Sequence, residues 1–309
     1  MKHLLLIFFF ASVTIASCKT IKVSERSTFV ATKYNYESFS NSILESNLSD
    51  QQKRIFILSA GKIVNTDEEE IIVLGPVKLK RQFLVVNDTI TLEYFIFEPK
   101  HIKKRGIYFL GNGTSILNVA EKLFELSAGT SSKIFVLNYR GSGKSKGTPS
   151  FRTQFIDNQT FITSIEVKER ETLQFCVGYS LGSIFATYSA VENNIGHLYL
   201  LSPFSNSQQL FKYAKKQNTK GLKALLRPFI KVTADDYLSG ISNIEKIQNY
   251  NGKLVVFHGT KDYILPYTMG ESLYRSYNSE NKEFIPLIDG GHGAAFESNN
   301  WEILIRKIE

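Results

Sequence analysis

Cys176-Val177-Gly178-Tyr179-Ser180-Leu181-Gly182-Ser183 is the stretch on which the rest of the chain turns. It reads Gly-x-Ser-x-Gly between an apolar run, Leu173 to Val177, and a small-residue run of helical texture, Ser183 to Val191. A strand that passes into a helix through so short a link must turn sharply, which pushes the serine hydroxyl out of the sheet. A side chain at Gly178 or Gly182 would collide with the strand or helix crowding that turn. Five residues with two glycines also recur by chance, so the reading depends on the rest of the chain.

The chain has 309 residues, 43% of them hydrophobic, enough for one large α/β domain. Its formal net charge of +8 is spread along the sequence. The basic clusters, Lys100 to Arg105 and the Lys212–Lys231 region, read as solvated loops or helix faces, so no nucleic-acid partner is expected. At the N-terminus, Lys2 and His3 precede an apolar run from Leu4 to Ala16 that ends in Ile15-Ala16-Ser17-Cys18. Such a run falls short of the ~20 residues that span a bilayer but suits the apolar part of an export signal. Residues 1–17 are therefore expected to be a signal peptide. A buried, inert thiol is the expectation for Cys176, and no disulfide framework is expected.

Residues 18–70 read as a tether and lead-in, rich in Ser, Asn, Thr and Lys early on, with a short helix from Ser49 to Leu58 capped by Ser49 or Asp50. From Val77 the texture changes. Val77–Val86 and Thr89–Phe97 flank Asn87-Asp88, a two-residue turn signal, and predict a hairpin. Strand and helix patterns then alternate: strands at Gly106–Leu110, Lys133–Asn138, Leu173–Val177, Leu198–Ser202, Leu254–His258 and Glu283–Ile288, with helices between and after them. Strands that are apolar throughout are what a parallel sheet covered on both faces requires. The domain is placed at 71–309, interrupted at about 205–250 by a Lys-rich insertion expected to form a small helical cap over the sheet's carboxyl edge.

A serine hydroxyl needs an imidazole to take its proton and a carboxylate to orient that imidazole. Of the histidines, only His292 follows Ser180 near the C-terminus after a strand, in the loop Asp289-Gly290-Gly291-His292-Gly293. Asp262 is the candidate acid, on the loop leaving the strand that ends at His258; Pro203 to Gln209 offers no Asp or Glu. His258 reads as structural, because as base it would precede its own acid. A tetrahedral intermediate needs two donors for its developing oxyanion. The backbone N–H groups of Leu181 and of Asn112, in Gly111-Asn112-Gly113, are the candidates.

Taken together, Leu110-Gly111-Asn112-Gly113, Asn138-Tyr139-Arg140-Gly141-Ser142-Gly143-Lys144-Ser145, the elbow, His258-Gly259-Thr260-Lys261-Asp262 and Gly291-His292 resemble the α/β-hydrolase superfamily, and most nearly its BEM46-like serine hydrolases. The resemblance covers roughly residues 88 to 309 and implies an α/β-hydrolase fold: a mostly parallel sheet with helices on both faces. The family usually has His before the oxyanion-loop Gly, where Leu110 stands, which leaves the bracing of that loop open. The tetrapeptide at the N-terminus likewise resembles a bacterial lipobox, which implies lipidation of Cys18 and an exported, membrane-anchored protein. Expected partners are the membrane, through that anchor, and a small-molecule or lipid acyl substrate.

The expected reaction is acyl transfer to water through an acyl-enzyme, with no cofactor and no metal. Carboxylic esters come first among substrates, with thioesters and peptide bonds open. A hydrolase-shaped lipoprotein that binds or scaffolds without turnover is the alternative. Gly141-Ser142-Gly143-Lys144-Ser145 invites a nucleotide-binding reading, but Asn138 stands where that loop needs glycine, and Lys146-Gly147-Thr148-Pro149 does not continue as helix.

Overall fold

The computed structural model describes residues 19–23, 28–46, 48–74, 76–218 and 230–309. The expected signal peptide, 1–17, and the expected anchor, Cys18, lie outside them. In chain order the strands are β1 (Lys19–Val23), β2 (Glu70–Leu74), β3 (Val77–Asn87), β4 (Ile90–Pro99), β5 (Lys104–Phe109), β6 (Ser132–Leu137), β7 (Phe175–Tyr179), β8 (His197–Leu201), β9 (Ile230–Ala234), β10 (Lys253–Gly259) and β11 (Lys282–Leu287). The longer helices are α1 (Tyr36–Glu45), α2 (Asp50–Asn65), α3 (Ile116–Thr130), α4 (Phe151–Ser164), α5 (Gly182–Glu192), α6 (Ser207–Asn218), α7 (Tyr267–Ser276) and α8 (Ser298–Ile308).

Nine strands form one sheet in the order β11-β10-β8-β7-β5-β6-β4-β3-β2. The run from β11 to β6 is parallel, and β4, β3 and β2 join antiparallel. All six residues of β6 are buried, as a strand between two helical layers requires, whereas the outer end of β3 alternates between part-buried and exposed residues. This is the α/β-hydrolase fold. Among the described residues, no helix is long and apolar enough to cross a membrane.

Residues 28–46 and 48–70, expected within the tether and lead-in, are largely folded structure. Phe29, Ile43, Phe56, Ala60 and Ile63 are buried in the same core as the sheet. Ser and Asn at the intervening positions mask the apolar face in the sequence. Ser49 caps α2: its hydroxyl accepts from the Gln52 N–H at 3.3 Å, and the Gln52 side chain accepts from the Ser49 N–H at 3.0 Å. The insertion at 205–250 is also not purely helical. Its described residues include α6 and two short helices, but β9 pairs in parallel with β1, Lys19 opposite Ile230 through Val23 opposite Ala234. A strand whose partner lies some two hundred residues away leaves little trace in its own periodicity.

The elbow depends on two close approaches. A Cβ at Gly178 would fall 2.6 Å from the Ala186 Cβ, and one at Gly182 would fall 2.2 Å from the Phe109 carbonyl oxygen and 2.6 Å from that of Leu110. In the second case both obstacles are backbone, which has little room to yield. Gly182→Ala is therefore expected to destabilise the fold by about 3 kcal/mol or more. By circular dichroism this would read as a Tm lowered by roughly 6–12 °C. An unchanged Tm would show that α5 can tilt away from β5 at little cost.

Candidate active site

Ser180 stands at the turn between β7 and α5 with φ of 53°, a left-handed conformation that a non-glycine residue adopts only when its surroundings impose it. Its N–H is tied to the Leu201 carbonyl at 2.9 Å, and its own carbonyl accepts from the Ser183 N–H at 3.0 Å as the helix begins. His292 follows β11, and its Nε2 lies 2.9 Å from the Ser180 Oγ. Asp262 follows β10, and its Oδ2 lies 2.7 Å from the His292 Nδ1. Three side chains chosen from distant parts of the sequence thus stand in one hydrogen-bonded line at the carboxyl edge of the sheet.

The acid is the best-held of the three. Its Oδ1 accepts from the N–H groups of Ile264 at 2.8 Å and Leu265 at 3.0 Å. Its Oδ2 also lies 3.3 Å from the Nε2 of His258, whose ring is fully buried. Burial alone would raise the Asp262 carboxyl. The hydrogen bonds from His258 and His292, the charge of His292 and the Ile264 N–H outweigh it and hold the group well below the usual carboxylate range. An ionised Asp262 draws the Nδ1 proton of His292 towards itself and leaves the Nε2 lone pair facing the serine.

His258, read from the sequence as structural, is thus a second imidazole on the acid. The Leu265 carbonyl, 2.8 Å from the His258 Nε2, fixes that nitrogen as the protonated one. The signal was the four-residue spacing from His258 to Asp262. The loop of His292 has a support of its own that the sequence did not disclose, since the Ser202 hydroxyl donates to the His292 carbonyl at 2.8 Å. The Tyr179 ring lies 5.3 Å from that of His292, and its phenol, pushed up to about 12 by burial and then by the charge of Asp262, keeps its proton. Asp289 turns away to pair with Lys261 at 2.8 Å, and burial pushes the Cys176 thiol up out of the reactive range.

Because the folded-state pKa of Asp262 is depressed, its stabilising contribution is complete above the unfolded carboxylate value of about 4 and is lost as pH falls through the folded value. The stability gap between the native chain and Asp262→Asn should therefore be constant around neutrality and shrink below about pH 4. Paired thermal melts from pH 3 to 7 measure it; a gap that widens on acidification would reverse the assignment.

The candidate oxyanion donors also lie at this edge. The loop after β5 abuts the elbow, since a Cβ at Gly111 would fall 2.7 Å from the Tyr179 ring. Among the described residues the N–H groups of Asn112 and Leu181 have no protein acceptor. A cleft of about 440 Å³, lined by Thr32, Asn35, Phe39, Leu117, Tyr179 and Phe296 among others, opens on the Tyr179 ring next to the elbow; the triad side chains do not line it.

Sheet order, elbow and edge place this chain among proteins of the α/β-hydrolase fold. No family model matches it. The chain is similar to the uncharacterized protein YfhR of Escherichia coli O157:H7, 29% identical over 175 residues, which are 55% of this chain and 56% of that protein. It is also similar to the lysophosphatidylserine lipase ABHD12 of Bos taurus, 26% identical over 196 residues, 59% of this chain and 48% of that one. The match thus spans about half the length of each of these relatives. Among solved structures, the esterase Pf2001 of Pyrococcus furiosus superposes with a TM-score of 0.60 at 16% identity, covering 78% of this chain and 95% of that one.

Proposed function

We propose that the protein is a serine hydrolase of carboxylic esters, BEM46-like in its motifs. Ser180 is the nucleophile, His292 the base and then the acid, and Asp262 the residue that orients the imidazole. The observation that carries this reading is the continuous line of contacts, 2.9 Å from Ser180 to His292 and 2.7 Å from His292 to Asp262. In the first half-reaction the Ser180 Oγ attacks the acyl carbon while its proton passes to the His292 Nε2. The N–H groups of Leu181 and Asn112 receive the negative oxygen. The intermediate then expels the alcohol, which takes the proton from His292. In the second half, water gives a proton to His292 and its oxygen to the acyl carbon, and Ser180 leaves with its proton restored.

The esterase and lipase names of similar proteins support ester chemistry, and thioesters or peptide bonds use the same steps. We also propose that the chain is exported and anchored through an acylated Cys18, on the strength of Ile15-Ala16-Ser17-Cys18 after an apolar run. A panel of p-nitrophenyl esters, acyl thioesters and peptide anilides, each with and without a fluorophosphonate, tests the activity. Ester turnover that the reagent abolishes is the expected result. Absence of both labelling and turnover would favour a binding module.

A further inference from the structure

The loop that carries Asn112 lacks the histidine usual before its first glycine, so something else must hold it. The structure supplies a brace from the far end of the chain. Residues 28–34 run as a strap across the carboxyl edge of the sheet, above the loops that leave β5 and β6. The strap meets the Asn112 side chain at two points: Asn112 Nδ2 donates to the Thr28 carbonyl at 2.8 Å, and its Oδ1 accepts from the Val30 N–H at 2.8 Å. The amide thus donates to one strap residue and accepts from the next but one, so that both its nitrogen and its oxygen are held. The carboxamide is thereby fixed in both position and plane.

The strap is itself well anchored, as a brace has to be. Phe29 is 9% exposed and packs edge-on against Phe151, with ring centres 4.9 Å apart. The Thr32 N–H donates to the Ser142 hydroxyl at 3.0 Å, and the Thr32 carbonyl accepts from the Gly143 N–H at 2.9 Å. The Tyr34 hydroxyl donates to the buried Glu93 and accepts from Asn138 at 2.8 Å. Against this fixed segment the loop has the freedom of two glycines to lose, Gly111 and Gly113 with φ of 68°, on either side of the exposed Asn112. Elsewhere the loop is held where the Tyr139 hydroxyl donates to the Leu110 carbonyl at 2.6 Å and the Thr114 hydroxyl to the Gly111 carbonyl at 2.6 Å.

We propose that Asn112 is a positioning residue in its side chain as well as a donor in its backbone: the carboxamide, clipped to Thr28 and Val30, holds the oxyanion loop in register with Ser180. The strap is then a working part of the active site, although it lies some 150 residues before the nucleophile. The inference rests on the hydrolase reading of Ser180. A donor displaced by about 1 Å loses most of its value in the transition state while substrate binding hardly changes. The clip should thus act on kcat and leave KM alone.

The test is a double-mutant cycle in the full-length chain. Asn112→Ala removes the clip from the loop side and keeps the backbone N–H; Val30→Pro removes one of its two hydrogen bonds from the strap side. Turnover of p-nitrophenyl butyrate, the rate of fluorophosphonate labelling and Tm are measured for each. The expected result is a fall in kcat of about 10- to 100-fold for Asn112→Ala, with KM within about twofold and labelling slowed in proportion. Val30→Pro should lower kcat less, and the double variant no further than Asn112→Ala alone. Asn112→Asp, which can still accept from Val30 but not donate to Thr28, should fall between native and alanine. Full kcat in both single variants overturns the proposal, as does a loss that appears only in KM. If Asn112→Ala loses its fold, a folded Val30→Pro with native kcat overturns it equally. A native chain that the fluorophosphonate does not label would instead refute the hydrolase reading.

Discussion

Ser180→Ala is expected to lower the turnover of p-nitrophenyl esters by about 10⁶ and to abolish fluorophosphonate labelling, with Tm changed little. The size follows from what the hydroxyl does. Without it there is no covalent intermediate, and water would have to attack an acyl carbon held in a site shaped for an internal nucleophile. Stability should survive, because the Ser180 hydroxyl faces His292 and not the core, and the backbone bonds to Leu201 and Ser183 remain. The φ of 53° provides a second reading of the same site. Glycine adopts that conformation without strain, so Ser180→Gly should be as inactive as the alanine variant yet more stable by about 1 kcal/mol. Equal stability of the two would mean that the elbow stores no strain at its apex. Alanine-variant turnover within tenfold of native would remove Ser180 from the chemistry altogether.

What could be read from the sequence, and what could not, divides along the range of the contacts. The elbow is legible because its turn is local: Gly178 is demanded by Gly182, Ser183 and Ala186 of the helix that follows. The demand on Gly182 comes instead from the Phe109 and Leu110 carbonyls at the end of β5 and is not visible in the motif itself. The parallel strands are legible because a strand covered on both faces must be apolar throughout, as β6 is. His292 and Asp262 were found by chain order and by the loops they occupy, and the structure brings both to Ser180. The strap was not legible. Its contacts to Asn112 and Ser142 span 82 and 110 positions, and its one large buried side chain, Phe29, stands among Ser, Thr and Lys. The pairing of β9 with β1 escaped for the same reason. His258 was read as structural because only its place in the order was considered. Its fourth-neighbour relation to Asp262, across a turn that folds back, brings the two side chains together.

The strap also ends at a buried charge pair, and removing half of that pair should cause the largest loss of stability of any substitution considered for this chain. Arg81 and Glu93, both fully buried, lie 3.5 Å apart on the paired strands β3 and β4. The guanidinium also donates to the carbonyls of Ile63 at 2.8 Å, Thr66 at 2.6 Å and Glu68 at 2.9 Å, closing the end of α2 and the turn after it. The carboxylate accepts from Tyr34, from Asn138 at 3.0 Å and from the Lys144 N–H at 3.0 Å. Burial and then the charge of Glu93 push the Tyr34 phenol far up, so it keeps its proton and donates it to that carboxylate. Glu93→Ala strands a guanidinium away from water with no counter-charge, which costs about 3–5 kcal/mol. In urea this reads as a midpoint lowered by that energy divided by the slope m, with m unchanged. Adding Arg81→Met removes the stranded charge, so the double variant should lose less than the two single losses combined, although three carbonyls then lack their donor. Strict additivity would show that the charges contribute nothing as a pair. Loss of the Tyr34 acceptor frees the end of the strap opposite Asn112, and esterase activity in Glu93→Ala should therefore fall even below the melting transition, where the chain is still folded.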